Sequence, residues 1–454
     1  MPSVLVSSGA DLLLFGMSER QILETANRLK HEDIREITDI KGTCYLTAPA
    51  NSPLGFAQAA SFEQVCENKR EYAKACRVQC ENQEKGVLQR HGAEMLVQNP
   101  AQPPLTQEEM DRVYALPYMR TYHPSYEAEG GVPASEEVEF SVTHNRGCFG
   151  ACNFCAITLH QGKGVTCRSK ESVLREVEEL TKKSSFKGYI HDIGGPTANF
   201  RRNPCEKESF CKNKKCLAPE KCPSLSADHS EYLDILRCVR KTAGVKKVFI
   251  RSGIRYDYLL YDKNSAFLRE LVEHHVSGQL KVAPEHCVNT VLDRMGKPHI
   301  EMYRQFSARF YEITKSIGKE QYLVPYLISS HPGSTLADAL KLAEYLKANK
   351  IRPEQVQDFY PTPGTISTCM YYTGLDPYTL EEVFVPRTAE EKAMQRALLQ
   401  YWKPENAELV KRAEKLARSA GKGKDNAKKE SNNRKSESKG NKGSKDGKAG
   451  KKKN

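Results

Sequence analysis

From residue 137 onwards, the sequence alternates between short apolar stretches and amphipathic stretches. Six strand-like stretches are separated by helix-like ones; they are VEFSVTHNRG, GYIHDIGGP, KKVFIRSGI, LKVAPEH, YLVPYLISSHPG and VQDFYPTPG. This alternation is typical of a parallel sheet, because parallel neighbours are joined by crossover helices. Right-handed crossovers curl such a sheet. We therefore predict an α/β fold whose centre is a partial or full parallel βα barrel.

A polar or glycine-rich loop follows each predicted strand. The six loops read NRGC, GGPT, RSGIR, APEH, SSHPG and PTPG. Active sites of βα barrels lie at the carboxyl ends of the strands. The sequence therefore predicts one site on one face of the barrel, formed by all six loops.

The loop after the first strand, RGCFGACNFC, contains Cys148, Cys152 and Cys155. A disulfide needs two thiols and a closed structural zinc site needs four ligands, so three is an unusual number. Thiolates are the standard ligands of iron–sulfur clusters, and a 4Fe–4S cluster held at three irons keeps its fourth iron open for a small molecule. A zinc site with a distant fourth ligand, or three unrelated thiols, are the alternatives.

The C-x3-C-x2-C loop after the first strand of a βα repeat resembles the radical S-adenosylmethionine (SAM) superfamily. RGCFGACNFCAITLHQGK, HDIGGPTANF, RSGIRYDY, KVAPEHCVNTVLDRMGKP and VQDFYPTPGTISTCMYYTGLDP are together similar to the YgiQ-type radical SAM proteins. The resemblance implies a 4Fe–4S cluster, SAM bound at its open iron, and cleavage of SAM to a 5′-deoxyadenosyl radical. It also implies an electron donor such as flavodoxin or ferredoxin, and it leaves the substrate and the catalytic residues unassigned.

The resemblance further implies SAM contacts in the loops after the later strands. A solvated or structural role is the ordinary alternative for each charged residue among them. The implied contacts are Gly194, Gly195, Pro196, Thr197, Ser252, Arg255, Glu285 and His331. Pro196 stands where the superfamily usually has an acidic residue, so the backbone contact is retained without the carboxylate.

A second group of cysteines lies in an insertion between the second strand and its helix. Its members are Cys205, Cys211, Cys216 and Cys222. Four thiols in a segment with few apolar neighbours favour a structural zinc ion or an auxiliary iron–sulfur cluster, since a metal supplies the folding energy that a core would otherwise give. Unligated thiols are the alternative. The lysines around them would offset thiolate charge or contact a nucleic acid.

The net positive charge of the chain is concentrated in its C-terminal segment. Residues 411–454 contain 17 lysines and arginines against 5 acidic residues, an excess that equals the net charge of +12 of the whole chain. A segment without apolar periodicity cannot bury a core, so we predict a disordered tail. Attraction to RNA is one role for such a tail, and improved solubility is the other.

Five regions are predicted along the chain. Residues 1–47 are interpreted as the remnant of an upstream α/β domain, with strands at SVLV and DLLLF and a helix that begins with a Ser18 to Gln21 capping box. The YgiQ-type proteins carry a further N-terminal domain before this stretch. The remaining regions are a helical segment and connector at 48–136, the radical SAM core at 137–365, an extension at 366–410 and the tail at 411–454.

The composition bears on location and on the rival functions. No apolar run reaches the roughly 18 residues of a membrane helix, and the start resembles no signal peptide, so a cytoplasmic protein with no membrane partner is expected. Most of the 15 cysteines are then thiols or metal ligands. The alternatives to a radical SAM enzyme of unknown substrate are a non-catalytic, metal-stabilised RNA-binding protein, and a methylthio- or methyltransferase acting on RNA or a ribosome-associated protein.

Overall fold

The computed structural model describes residues 2–207, 211 and 215–419. Its first part is a five-stranded sheet in the order β1-β2-β5-β4-β3. The strands are β1 (Leu12–Leu14), β2 (Thr43–Thr47), β3 (Ala57–Gln58), β4 (Val87–His91) and β5 (Glu94–Gln98). All neighbours are antiparallel except β3 and β4. The predicted boundary at residue 47 falls inside this sheet, because β2 pairs with β5 along its length.

Helices cover parts of this sheet. They are α1 (Val4–Ser8), α2 (Glu19–Arg28), α3 (Phe62–Glu67) and α4 (Lys69–Glu81). The strand predicted at SVLV is wrong: the segment is α1, and the Ser3 hydroxyl caps it by accepting a hydrogen bond from the Leu5 amide. The capping box predicted at Ser18 is also wrong, since Ser18 has a left-handed backbone and its side chain caps nothing in α2.

The predicted helical segment is only partly helical. Its apolar residues form α3 and α4 up to Glu81, but residues 87–98 form a tight hairpin of β4 and β5. Val87, Met95 and Val97 bury side chains from this hairpin. Two short helices follow in the connector, α5 (Gln107–Tyr114) and α6 (Pro133–Val138).

The barrel strands lie where the alternation predicts them, between residues 141 and 358. They are β6 (Ser141–Thr143), β9 (Tyr189–Ile190), β10 (Asp192–Gly194), β11 (Lys247–Val248), β12 (Gln279–Glu285), β13 (Tyr322–Ser329) and β14 (Gln357–Asp358), while β7 (Asn145–Arg146) and β8 (Thr166–Cys167) form a small hairpin. His191 separates β9 from β10. Every barrel pair is parallel: β10 with β6, β11 with β9, and β13 with both β12 and β14. The parallel pairs therefore form one group of β6, β9, β10 and β11, joined through His191, and a second group of β12, β13 and β14. Together with the helices between them, they confirm the α/β fold with a partial barrel.

Helices pack on the outer face of the strands. They are α7 (Ala156–His160), α8 (Lys170–Thr181), α9 (Ser230–Lys241), α10 (Tyr256–Tyr261), α11 (Ala266–Glu270), α12 (Asn289–Met295), α13 (Ile300–Ser316) and α14 (Leu336–Ala348). Val142, Ile193, Val248 and Leu280 from the strands share one buried core with the apolar faces of α8 to α13. Successive residues of a strand point to opposite faces, so the strands use their side chains to build the core. The candidate site is then formed by the loops at the strand ends.

The chain continues in α15 (Ile366–Thr373), α16 (Ala389–Leu399) and a helix at 407–419. Helix α15 packs on α4 of the N-terminal region, and α16 packs on α14. The predicted tail begins too early, because residues 411–419 are helical and bury Ala413 and Ala417 against α14 and α16. Residues 420–454, where the rest of the predicted tail lies, are outside the described residues. Among the residues that are described, no helix is long and apolar enough to cross a membrane.

The two ends of the insertion that carries the second cysteine group lie next to each other. The amide of Ser226 donates a hydrogen bond to the carbonyl of Pro204 (2.8 Å). The described part between them contacts the cysteine loop, since Lys215, Cys216 and Pro219 line a small cavity together with Gly150, Ala151 and Asn153.

Candidate functional site

The loop with Cys148, Cys152 and Cys155 connects β7 to α7 at the carboxyl end of the first barrel strand. The Cys148 amide donates to the Gly162 carbonyl (3.1 Å), which folds the loop back on itself. Gly147 has a φ of +83°, and a Cβ there would lie 1.8 Å from the Gly164 carbonyl oxygen. Only glycine satisfies both conditions, so the tight turn before Cys148 is fixed by the sequence.

The three thiols lie in a shielded setting and affect one another. Burial raises the pKa of Cys152, and the neighbouring Lys297 and Arg255 oppose that rise. Burial raises the pKa of Cys155 as well, and the charges of the other two cysteines add to it. Three neighbouring, partly buried thiolates repel one another, so a positive group among them would stabilise their ionised form.

No three histidine, cysteine or carboxylate side chains in the described ranges are grouped as ligands of one ion. In a multi-iron cluster the thiolate ligands bind different irons and lie farther apart than the ligands of one ion. The donor set of three cysteines and no histidine is also typical of a cluster.

The second barrel strand ends in a cradle without side chains. A Cβ at Gly194 would lie 1.8 Å from the Ser252 hydroxyl oxygen, and a Cβ at Gly195 would lie 1.8 Å from Asn145 Oδ1. This Oδ1 atom is buried and has no hydrogen-bond partner among the residues that the structure describes. Buried acceptors are almost always paired, so the Asn145 oxygen is an unusual atom at this strand end.

The predicted SAM contacts beside this cradle lie close to the cysteine loop. The Thr197 hydroxyl is 3.4 Å from Cys148 Sγ. The Gly195 amide donates to the Ser252 hydroxyl (3.3 Å), and Pro196 lies in the bend that follows β10. The structure therefore brings these residues to one edge, and their contact with SAM stays a prediction.

Arg255 extends from the end of the third barrel strand towards the same loop. Its Nη1 lies 3.6 Å from Cys152 Sγ. Asn199 fixes its backbone, since Oδ1 accepts from the Arg255 amide (2.8 Å) and Nδ2 donates to the Arg255 carbonyl (3.1 Å). Asn199 Nδ2 also lies 3.1 Å from Nε2 of His229, whose Nδ1 is 2.7 Å from Asp262. A buried polar network therefore positions this strand end.

Glu285 ends the fourth strand in a strained conformation. Its φ is +66°, and the pairing of β12 with β13 shifts between Val282 and Glu285. The buried carboxylate lies 3.5 Å from Nζ of Lys297, which is also buried. Strained residues of this kind concentrate at functional sites, so the Glu285–Lys297 pair belongs to the candidate site.

His331, after the fifth strand, is fully buried and supports the loop from behind. Its ring is 2.7 Å from the Pro332 carbonyl and 2.7 Å from the Ser367 hydroxyl. The Ser367 amide donates to the Asn153 carbonyl in the cysteine loop (2.9 Å). Burial lowers the pKa of His331 to about 3, so the ring is neutral near pH 7. The predicted contact with SAM at His331 stays a prediction.

In the segment with the second cysteine group, the structure describes residues 205–207, 211 and 215–222. All four thiols are partly exposed, and Cys216 and Cys222 pack with Cys148 around the buried ring of Phe149. Within the described residues these thiols do not form a site for a single ion. A second zinc or iron–sulfur site in the insertion stays a prediction.

Sequence reasoning missed three residues of the site: Asn145, Asp192 and Lys297. Asp192 lies inside β10 and accepts hydrogen bonds from the Arg251 and Ser252 amides (2.8 and 3.2 Å). Asn145 and Asp192 were detectable as polar residues at the ends of apolar strands. Lys297 follows α12 at a distance from any strand, so only the folded chain shows its place.

The fold and the site together define a βα-barrel protein with a three-thiol loop at its strand ends. The family description "Radical SAM N-terminal" matches residues 1–141, and a domain of unknown function, DUF3362, matches residues 354–454. A "UPF0313 protein" of Clostridium botulinum is 54% identical over 419 residues, which is 90% of this chain and 65% of the relative. One from Clostridium perfringens is 54% identical over 417 residues, 90% of this chain and 63% of the relative. The N-terminal part of this chain is thus similar to a radical SAM family, and the chain spans less than two thirds of the length of these relatives.

Two solved structures are distant matches. The radical SAM methyltransferase TsrM from Kitasatospora setae has a TM-score of 0.41 and 12% identity over 78% of this chain and 52% of that chain. The cobalamin-dependent SAM radical enzyme OxsB has a TM-score of 0.37 and 12% identity over 80% of this chain and 47% of that chain.

Proposed function

We propose that this chain is the core of a radical SAM enzyme with a 4Fe–4S cluster on Cys148, Cys152 and Cys155. When bound, the cluster and SAM supply a 5′-deoxyadenosyl radical that abstracts hydrogen from a substrate. The observation that carries this proposal is the position of the three thiols, beside the Gly194–Gly195 cradle with its unpartnered Asn145 acceptor. The substrate is not assigned.

The chain's own residues would bind and orient SAM at the cradle. Asn145 Oδ1 is free to accept a hydrogen bond from an ammonium group, and the two glycines let backbone and ligand approach closely. Lys297, whose pairing with Glu285 is long at 3.5 Å, is placed to attract a carboxylate. Asn145 in β7 and Lys297 after α12 would therefore be the acceptor and the cation for the two ends of an amino acid.

Aromatic side chains would exclude water from the cysteine loop. The Phe149 ring stacks on Phe200 with centroids 3.6 Å apart, and Tyr258 packs edge-on against Phe200 at 5.2 Å. Phe149 and Phe200 are buried. An apolar surface that excludes water beside the thiolates strengthens the charge interactions there and would protect a reactive intermediate.

The first prediction tests the cysteines directly. Cys148→Ala, Cys152→Ala and Cys155→Ala should each lower the iron and sulfide content after anaerobic purification. Each should also abolish reductive cleavage of SAM to 5′-deoxyadenosine, because a missing thiolate removes one of three cluster ligands. The cleavage product is measured by chromatography with dithionite or reduced flavodoxin as the electron donor.

Cys66→Ala is the matched control, since Cys66 is an exposed cysteine on α3, in the N-terminal region. It should keep the iron content and the cleavage rate of the natural protein. Wild-type rates of cleavage in the three loop variants, or a natural protein that holds zinc and no iron, would refute the proposal.

A further inference from the structure

The Arg255 side chain is held between a carboxylate and a cysteine of the loop. Nε and Nη2 donate to the two oxygens of Asp257 (2.9 and 2.6 Å). The remaining nitrogen, Nη1, is 3.6 Å from Cys152 Sγ. Both charged side chains are buried. The bidentate pair fixes the plane of the guanidinium, so one N–H edge is directed at the sulfur.

Gly150 makes this approach possible. A Cβ at position 150 would lie 2.4 Å from Arg255 Nη1 and 3.2 Å from Cys148 Sγ. A side chain there would displace the guanidinium from the loop. The contact therefore depends on a glycine two residues before Cys152 as well as on the arginine itself.

We propose that Arg255 is a positioning residue that sets the reduction potential of the cluster through its contact with Cys152. This inference rests on the proposed function. Reduction adds one electron to the cluster, and a buried positive charge that donates to a ligand sulfur stabilises the more negative, reduced state. Arg255 therefore raises the potential and eases the transfer of the electron that starts the reaction.

Other charges face Cys152, and they stay in place when Arg255 is changed. Lys297 and Glu285 act on Cys152 from other loops, and the thiol of Cys148 acts from the same loop. Because Lys297 and Glu285 are paired with each other, their effects on the sulfur largely oppose one another. Replacing Arg255 with Gln removes the positive charge in contact with the sulfur and also leaves the buried Asp257 carboxylate without its partner, so the charge-retaining Arg255→Lys variant is needed beside it.

The test is an anaerobic redox titration of the full chain, followed by electron paramagnetic resonance without SAM. Arg255→Gln should make reduction about tenfold less favourable, which is about 59 mV for one electron. Arg255→Lys keeps the charge and should recover most of the shift. Arg251→Gln is the control, because Arg251 lies at the same strand end but is exposed and pairs with Glu137; its potential should equal that of the natural protein.

Two further variants test the inference if Arg255→Gln does not retain its cluster. Asp257→Asn leaves the guanidinium uncompensated and should raise the potential, while Gly150→Ala displaces the guanidinium and should lower it. Cluster-bearing variants with unchanged potentials would overturn this inference alone. A natural protein that assembles no cluster would instead overturn the proposed function.

Discussion

At the residue scale, one added methyl group at Gly195 should be enough to weaken the binding of a ligand at the cradle after the second strand. Gly195→Ala would place a Cβ 1.8 Å from Asn145 Oδ1, so either the acceptor or the strand end must move. We expect SAM to bind at least about tenfold more weakly, a loss of about 1.4 kcal/mol. Equilibrium dialysis of labelled SAM against the cluster-loaded protein measures this change.

Gly253→Ala is the control for that change. Gly253 belongs to the loop after the next strand, but a Cβ there would meet no atom within 4 Å. It should therefore bind SAM as the natural protein does. Equal affinities in the two variants would show that the cradle is not the SAM site.

Residues that act through local spacing could be predicted from the sequence, and residues that act across the fold could not. The cysteine loop is a continuous stretch, and its spacing alone indicates a cluster. Arg255 and Glu285 were predicted as SAM contacts, but their partners Cys152 and Lys297 lie in other loops. Pairings of this kind depend on how the strands are ordered, which no short motif specifies.

At the scale of elements, the end of α12 supports the cysteine loop. Gly296 ends this helix with a φ of +67°, and a Cβ there would lie 3.3 Å from both the Ala151 carbonyl oxygen and the Asn153 nitrogen. The Asn153 amide also donates to the Met295 carbonyl (2.8 Å). Gly296→Ala should therefore destabilise the helix end by about 1 kcal/mol and also shorten the lifetime of the cluster. The loss of visible absorbance in air measures that lifetime.

Gly374 provides a matched comparison for Gly296. It ends α15 with a similar φ of +75°, but the nearest atoms to a Cβ there are 3.9 Å away. Gly374→Ala should cost similar stability and leave the cluster lifetime unchanged. If both variants lose the cluster at one rate, the effect comes from general destabilisation and not from the loop.

The six barrel strands were predictable because each is an apolar stretch between polar loops. The first residues were not, since the apolar run VLV suits a strand or a helix equally, and the Ser3 cap decides for the helix. The hairpin of β4 and β5 was missed because the helical spacing of the apolar residues between Phe62 and Cys80 was extended to the residues that follow α4. Its two-residue turn at Gly92 and Ala93, between His91 and Glu94, was the better signal.

For the whole molecule, buried histidines predict a loss of stability in mild acid. Burial lowers the pKa of His144 and His331 to about 3 and of His275 and His286 to about 4. Histidines in the unfolded chain titrate near pH ~6.5. Between these values the unfolded state binds more protons, so the free energy of unfolding falls as pH falls, by about 1.4 kcal/mol per histidine per pH unit. Urea unfolding between pH 6.5 and 4.5 measures the slope.

His275→Asn isolates one of these contributions. His275 Nδ1 is 2.9 Å from the Val248 carbonyl, and an asparagine amide can donate in its place without titrating. The dependence of the free energy of unfolding on pH should become shallower by the contribution of one histidine. His31→Asn, at an exposed position, should leave the slope unchanged. An unchanged slope in His275→Asn would show that this ring is protonated in the folded protein.

The chain's regional organisation was only partly predictable, because neighbours in space are distant in sequence. The N-terminal sheet joins residues on both sides of the predicted boundary at 47. Helix α15, near the end of the described chain, packs on α4, and Cys369 shares a buried cluster with Cys76. These contacts between distant segments have no local sequence signal.

The hydrogen bond between Ser226 and Pro204 has a consequence for how such a protein diversifies. Because the insertion leaves and re-enters the barrel at one point, a change in its length need not move the strands on either side of it. It also borders the cavity next to the cysteine loop. Exchanging this segment between homologues should therefore change access to the cysteine loop while the three thiols of that loop keep their places.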